Sequence, residues 1–223
     1  MRMTAFMVLI VLFGSLVGYA ENTFHAAGRG DGSVVLWFQG SQVTGTAHAS
    51  LSFEAVVHAD AETVAFSVQG EATGSGSGDM STLNVSAWLL FDGSGTNPEG
   101  DPVVARGGIS IRSLDAQDSG TVDGSGEGLF YITIVTPDAV IVAHGIAAGT
   151  ASGGFVVPDD ETSMKLQGAG EFELIGEVTS WMSVSSDTPT EIPVDDLPWD
   201  SSTVPEEFLA QLRELIQSPQ TED

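Results

Sequence analysis

A period of two runs through residues 45–59, and it constrains the fold more than any other feature of the sequence. Every odd position from Gly45 to Ala59 is apolar or small, whereas the even positions are mostly Thr, Ser, His and Glu. Successive side chains of a β-strand point to opposite faces, so this pattern predicts a long strand with one wet face. Similar alternation recurs through the sequence up to residue 180, between clusters of Gly, Asp, Asn, Ser or Pro. The sequence therefore predicts an all-β domain.

The alternating segments predict about eight long strands joined mostly by short turns. Short connections favour antiparallel pairing of sequence neighbours, which produces an up-and-down meander. Repeated Gly and Ala on the inner face indicate a strongly curved sheet, because small residues let strands bend and backbones approach. We therefore predict a curled or closed barrel, with a two-sheet β-sandwich as the alternative. The predicted strands cover residues 33–39, 44–59, 62–74, 80–91, 102–114, 120–136, 139–156 and 163–180.

The register of the second and third predicted strands follows from the same alternation. Apolar residues occupy odd positions in one strand and even positions in the other, so paired positions must have an odd sum. A two-residue turn at Asp60 and Ala61 meets this condition. It pairs apolar residues with one another, Val57 with Val64, Ala55 with Phe66 and Phe53 with Val68, and it places Ser50 opposite Glu71.

Charge and cysteine content exclude several classes of function. The chain has 31 acidic residues against six Lys and Arg, which gives a formal net charge of −25. Such a surface repels phosphate, so we expect no nucleic-acid partner and no anionic membrane surface as a partner. The chain has no cysteine, which excludes a thiol nucleophile, a thiolate metal site and disulfides. The fold must therefore depend on burial and on sheet hydrogen bonds.

The first 20 residues have the organisation of an export signal. Arg2 gives a basic start, residues 5–17 are apolar, and Gly18 and Ala20 frame a cleavage site before Glu21. The apolar run is short compared with the roughly 20 residues that a membrane-spanning helix needs. We expect residues 1–20 to be removed, no stable membrane span afterwards, and an extracytoplasmic location, secreted or periplasmic. A retained anchor is the alternative.

The remaining chain divides into a β domain at 21–182, an acidic Pro-rich linker at 183–203 and an amphipathic helix at 204–218. Thr203 or Ser202 is the expected helix cap, and a proline follows in the first turn. A helix of this length is marginal alone, so it needs a surface to dock on. Its apolar stripe consists of Phe208, Leu209, Leu212, Leu215 and Ile216.

The predicted hairpin around Pro137 offers that surface, because both of its faces are apolar. We predict that the helix covers one face of the hairpin in cis. The alternative is that both the helix and this face bind partner chains. The face to be covered carries Leu129, Tyr131, Val135, Ile141 and Ala143, and the opposite face carries Ile132, Ile134, Val140 and Val142.

His144 is the first candidate for a ligand-binding residue. A three-residue turn at 136–138 places it opposite Phe130 and points its imidazole into the interior, with Tyr131 next in sequence to Phe130. If the interior binds a ligand, we expect His144, Phe130 and Tyr131 to contact it. A buried histidine with a purely structural role is the plainer explanation.

No metal-binding or catalytic motif of known spacing occurs. His48, Glu54 and His58 share one strand face, but at about 3.3 Å per residue the two histidines stand roughly 33 Å apart, too far for one ion. We expect solvated histidines, with Glu71 a diagonal neighbour of His48. The three glutamates between residues 171 and 177 alternate along a polar face, which is typical of a solvated row. We therefore assign no catalytic residue, no metal ligand and no cofactor.

Asp- and Gly-rich loops near residues 92–101, 115–123 and 159–161 are the expected positions of turns. Their acids do not follow the EF-hand spacing, and the glycines show no nonapeptide period. Turn chemistry explains these residues, and a Ca²⁺ site is the alternative.

These observations favour an exported, non-catalytic β-module that binds a small apolar ligand or serves as an envelope or extracellular structural piece. A barrel enzyme of isomerase or lyase type, using His144 with an inward carboxylate or Tyr131, is one alternative. An outer-membrane β-barrel is another, although the Gly- and Ala-rich face suits lipid poorly.

Overall fold

The computed structural model describes residues 22–59, 62–79, 84–118, 121–156, 163–184, 197–199 and 201–218. The predicted export signal and most of the predicted linker lie outside these residues. The described elements are eight strands and one helix. They are β1 (Asn22–Gln39), β2 (Gln42–Ala59), β3 (Glu62–Asp79), β4 (Asn84–Thr96), β5 (Pro102–Asp118), β6 (Thr121–Val135), β7 (Ala139–Val156), β8 (Ser163–Ser183) and α1 (Glu206–Gln217).

The eight strands form one ring-like antiparallel sheet. Each strand pairs with its sequence neighbours, and β1 pairs with β8 to close the ring, so the barrel prediction is confirmed over the sandwich alternative. Following cross-strand partners once around from Gly124 of β6 leads to Ile134, ten residues farther along the same strand. This stagger tilts the strands relative to the barrel axis. Register shifts at Arg112/Leu114 and Val142/Ala143, with unequal strand lengths, make the barrel uneven.

Pairing between β2 and β3 follows the predicted register. Val57 lies opposite Val64 and Ala55 opposite Phe66, and the ladder runs to Ala59 opposite Glu62, which leaves a two-residue connection. The odd positions of β2 that precede this turn are buried, and Glu54 between them is exposed. The apolar set of the alternation therefore faces the interior.

β1 is longer than the sequence predicted, because it begins at Asn22 rather than at residue 33. Its added part alternates Phe24, Ala26, Gly28 and Gly30 with His25, Ala27 and Arg29. The small size of most of these residues weakened the hydrophobic signal, yet Phe24 and Ala26 are each 1% exposed.

The hairpin of β6 and β7 corrects the predicted turn at 136–138. Only Pro137 and Asp138 lie between paired residues, since the Thr136 amide donates to the Ala139 carbonyl at 2.9 Å. The register consequently shifts by one residue, and a shift of one residue exchanges the two faces of a strand. The interior therefore receives Ile141 and Ala143 of β7, and the outer face receives Val140, Val142 and His144.

The main core occupies the end of the barrel where β2–β3, β4–β5 and β6–β7 are connected; we call it the core end. Phe24 and Phe130 pack there with ring centroids 5.4 Å apart. Below them Val57, Ile134 and Ile141 are fully enclosed. The opposite end, called the glycine end, contains many Gly residues on the inner face of the sheet, and most of them are half-buried.

Helix α1 packs outside the barrel of its own chain, as predicted, but the predicted docking face is wrong. Ile141 and Ala143 of that face lie in the interior, and α1 packs mainly on β4 and β5. Phe208, Leu212 and Ile216 are buried with Tyr131 and Val142 in one cluster. α1 also contacts β5, where Gly108 leaves room for Phe208 and Leu212; a Cβ at Gly108 would be 2.8 Å from Phe208 Cζ.

Polar contacts fix the ends of this helical segment to the barrel. The Trp199 indole N–H donates to the Ser110 hydroxyl at 2.8 Å in a buried setting, and Arg106 donates to the Ser218 carbonyl at 2.6 Å. The N-cap is Pro205, with no side-chain cap hydrogen bond, so the predicted capping by Thr203 or Ser202 is wrong. Among the described residues, no helix is long and apolar enough to cross a bilayer.

Candidate functional site

A ring of very small residues crosses the interior of the barrel between the core end and the glycine end. Its members are direct cross-strand partners on seven consecutive strands, and six of the seven are Gly or Ala. With no side chain beyond a methyl group at those six positions, the walls cannot reach one another across the barrel. The ring consists of Gly124, Ala151, Gly170, Gly30, Leu51, Gly70 and Gly93.

Three phenylalanines close the ring on the side of the core end. Phe53 lies 5.5 Å from Phe91 and 6.2 Å from Phe172, measured between ring centroids. Phe172 spreads over Gly28, where an added Cβ would be 2.7 Å from the Phe172 Cζ atom. These rings form an apolar floor that separates the ring of small residues from the packed core.

A cavity of about 1470 Å³, open to solvent over part of its boundary, lies within this ring. Its lining residues come from seven strands, which only the interior of the barrel can bring together. Six of these strands each contribute three consecutive residues, called a triplet below. Each triplet is centred on a ring member, and the flanking residues, such as Arg29 and Glu171, are exposed. Those flanking residues therefore border the cavity with main-chain atoms. The triplets are 29–31, 50–52, 69–71, 123–125, 150–152 and 169–171.

The cavity is lined by uncharged inward side chains and by polar main-chain groups. Among the described residues, the inward positions around it hold only Gly, Ala and larger apolar side chains. The main-chain amides and carbonyls that it exposes are already engaged in the strand ladders. A charged ligand would lose its hydration there without gaining a counter-ion, which is strongly unfavourable. The cavity therefore disfavours a charged ligand.

The structure does not bring the three predicted ligand-binding residues together. Phe130 is buried in the core and lies opposite Gly145. Tyr131 and His144 lie opposite each other on the outer face, and Tyr131 is buried beneath α1. The expectation that His144 faces Phe130 and points inward is wrong, because it assumed one residue too many in the turn.

His144 instead belongs to a set of histidines on the outer surface. Its Nε2 atom lies 3.9 Å from a Glu177 carboxylate oxygen, and His25 lies 2.7 Å from Glu173. His48 lies 3.3 Å from Glu71, which is the predicted neighbour. All three are cross-strand contacts with partly or largely exposed partners, which contribute little to stability.

The acidic loop after β4 is held by its own hydrogen bonds. Asn97 donates to the Asp101 carboxylate at 2.9 Å and accepts from the Asp101 amide at 2.7 Å, and Gly100 has a φ of 90°. This is turn chemistry of the predicted kind. In the described part of the chain, no group of three or more His, Asp or Glu is placed to hold a metal ion.

Four of the seven ring members were predicted to face inward: Gly70, Gly124 and Gly170 as signs of curvature, and Leu51 as part of the apolar set in residues 45–59. Gly30, Gly93 and Ala151 had no assigned role. The available signal was the alternation of small residues in 26–32, which continues the inner face of β1.

No protein-family model matches the chain, and comparisons with curated proteins and with solved structures found no match.

Proposed function

We propose that this chain is an exported, non-catalytic β-module that binds an uncharged apolar ligand inside its barrel. The observation that carries the proposal is the cavity of about 1470 Å³, ringed by Gly and Ala above a floor of phenylalanines. Pockets for drug-sized ligands occupy roughly 300–1,000 Å³, so this space is large enough for one bulky ligand. Burial of that ligand's apolar surface would provide the binding energy.

The enzyme alternative lacks support at this cavity. It required His144 as an inward base, and His144 lies on the outer face beside Glu177. No other titratable side chain among the described residues points into the cavity. A purely structural role for the barrel is the competing hypothesis, and a binding measurement separates the two.

The test is titration with N-phenylnaphthylamine, an uncharged dye whose fluorescence rises in apolar surroundings. We expect the wild-type protein to bind the dye. Leu51→Trp places a large ring in the cavity and should weaken dye binding about tenfold or more, since each 1.4 kcal/mol of lost binding energy is tenfold. Thr46→Trp is the matched control, because Thr46 lies on the exposed face of the same strand.

Two results would count against the proposal. In the first, the wild-type protein fails to bind the dye, which favours a structural role. In the second, Leu51→Trp and Thr46→Trp bind equally well, which means that the dye sits elsewhere. Native mass spectrometry of gently purified protein adds an independent test, because a copurifying neutral molecule should disappear in the Leu51→Trp variant.

Export is part of the proposal and rests on the first 20 residues. Arg2, the apolar run at 5–17 and the small residues before Glu21 support signal cleavage. N-terminal sequencing of the protein recovered outside the cytoplasmic membrane should begin at Glu21. A mature protein that still begins at Met1 would contradict this part.

A further inference from the structure

Leu51 is the one large side chain in the ring of small residues, and it lies between two glycines. Its direct partner on β1 is Gly30, and its direct partner on β3 is Gly70. The side chain is half-buried at the edge of the main core and lines the cavity. Because Gly and Ala have no side-chain rotamers, Leu51 is the ring member whose side chain can change the free width of the cavity.

The Leu51 side chain lies against the barrel wall over Gly30. A Cβ added at Gly30 would collide with Leu51 Cδ2 and would stand 3.7 Å from Leu51 Cγ. At Gly70, by contrast, the three atoms nearest an added Cβ are main-chain atoms of Asp92 and Gly93. Leu51 thus occupies the space that the missing side chain of Gly30 leaves free, and it runs along the wall instead of across the cavity.

Phe172 of the floor uses a glycine in the same way. Its Cζ atom would be 2.7 Å from a Cβ at Gly28, which is its partner on β1. The ring of Phe172 also packs on Phe53, with centroids 6.2 Å apart, and this contact fixes it in the floor. Leu51 lies two residues from Phe53 on β2, on the cavity side of the floor. Its position on the wall therefore depends on the space at Gly30.

We propose that Leu51 determines the size of the ligand that the cavity accepts, and that Gly30 is the positioning residue for Leu51. This inference rests on the proposed binding of an uncharged ligand in the cavity. With the Leu51 side chain on the wall, the ring presents little more than hydrogen atoms and methyl groups to the cavity, and a bulky ligand fits. With that side chain turned away from β1, its methyl groups take up cavity space, and only a smaller ligand fits.

The test fills the free space at Gly30. Gly30→Ala places a methyl group beside Leu51 Cδ2, whereas the nearest main-chain atom of β2, the Ser50 carbonyl oxygen, is 3.1 Å away. The leucine side chain is the more flexible of the two neighbours, so it should move. We expect Gly30→Ala to weaken binding of N-phenylnaphthylamine about tenfold and to change binding of naphthalene, which lacks the phenylamino group, less than about twofold. The ratio of the two affinities is the readout, because a general loss of folding lowers both alike.

Two control variants show whether Gly30 acts through Leu51. In the Leu51→Ala background there is no leucine to displace, so adding Gly30→Ala should change the dye affinity less than about twofold. Gly154→Ala is the matched glycine control, because a Cβ at Gly154 meets no atom within 4 Å and this residue does not line the cavity. Gly154→Ala should bind both probes as the wild-type protein does.

A second measurement needs neither a ligand nor a glycine variant. In NMR spectra of the wild-type protein, a Leu51 methyl resonance, assigned by its loss in Leu51→Ala, should show a nuclear Overhauser effect to the Gly30 Hα protons. The proposal is overturned if this effect is absent, if Gly30→Ala changes both affinities by the same factor, or if its effect persists in the Leu51→Ala background. Each of these results leaves the proposed function standing when the wild-type protein binds the probes. A wild-type protein that binds neither probe refutes the proposed function and this inference together.

Discussion

Leu212→Ala tests whether helix α1 is an integral part of the barrel. Leu212 has no exposed surface and lies against Gly108, whose added Cβ would be 3.3 Å from both Leu212 methyl carbons. The substitution removes three carbons, which is about 2.4 kcal/mol of transfer free energy at about 0.8 kcal/mol per carbon. A residual cavity beside Tyr131 adds to this cost, so we expect the free energy of unfolding to fall by about 3 kcal/mol.

The fall in the free energy of unfolding caused by Leu212→Ala cannot exceed the free energy with which α1 docks on the barrel. An isolated helix of 12 residues is marginal, so a severe substitution should release the helix while the barrel remains folded. The assay is urea unfolding followed by far-ultraviolet circular dichroism and by tryptophan fluorescence. Trp199, whose ring lies 5.4 Å from that of Phe208, should report release of the helix at low urea.

Arg213→Ala is the matched control, because Arg213 is exposed on the same helix. It should leave the free energy of unfolding nearly unchanged. If Leu212→Ala were as mild as Arg213→Ala, the packing of α1 against the barrel would be refuted. A stability that rises with protein concentration would instead indicate docking in trans.

Two further predictions concern close approach of strands and the buried polar contact. Gly70→Ala would drive a methyl group into the backbone of Gly93 and should lower the free energy of unfolding by about 1–3 kcal/mol. Gly154→Ala meets no atom within 4 Å and should leave the free energy of unfolding unchanged or raise it by up to about 1 kcal/mol; equal effects of the two substitutions in urea unfolding would contradict the close approach of β3 and β4. Trp199→Phe removes the donor to the Ser110 hydroxyl and should lower the free energy of unfolding by about 1–2 kcal/mol. In a double-mutant cycle, adding Ser110→Ala should recover part of this loss, and strictly additive effects of the two substitutions would contradict the hydrogen bond.

The sequence predicted strand pairing well where one face of a strand is apolar and the other polar. The β2–β3 register follows from opposite parity and a two-residue connection, and the structure has that register from Val57 opposite Val64 onward. The predicted register of the β6–β7 hairpin was wrong because Thr133 and Val135 are nearly as compatible with burial as Ile132 and Ile134. When both faces are apolar, the register depends on turn geometry, which alternation does not specify.

The cavity required information that no single segment contains. Glycine on the inner face predicted curvature, but the empty space arises because Gly30, Gly70 and Gly170 fall on one cross-strand path of a staggered barrel. That path depends on the register of every intervening pair, so an error of one residue in β6–β7 would displace it. The same one-residue error in the β6–β7 register explains why His144 was predicted to face the interior although it lies on the outer face.

Thiol labelling measures the central claim directly, since the chain contains no cysteine of its own. That claim is that the small, apolar set of the alternation surrounds an accessible interior space. Thr46→Cys should react with both a bulky charged maleimide and the small neutral reagent methyl methanethiosulfonate. Leu51→Cys should react only with the neutral reagent, and N-phenylnaphthylamine should block that reaction. Rapid labelling of Leu51→Cys by the charged maleimide, or its failure to react with either reagent, would contradict the account.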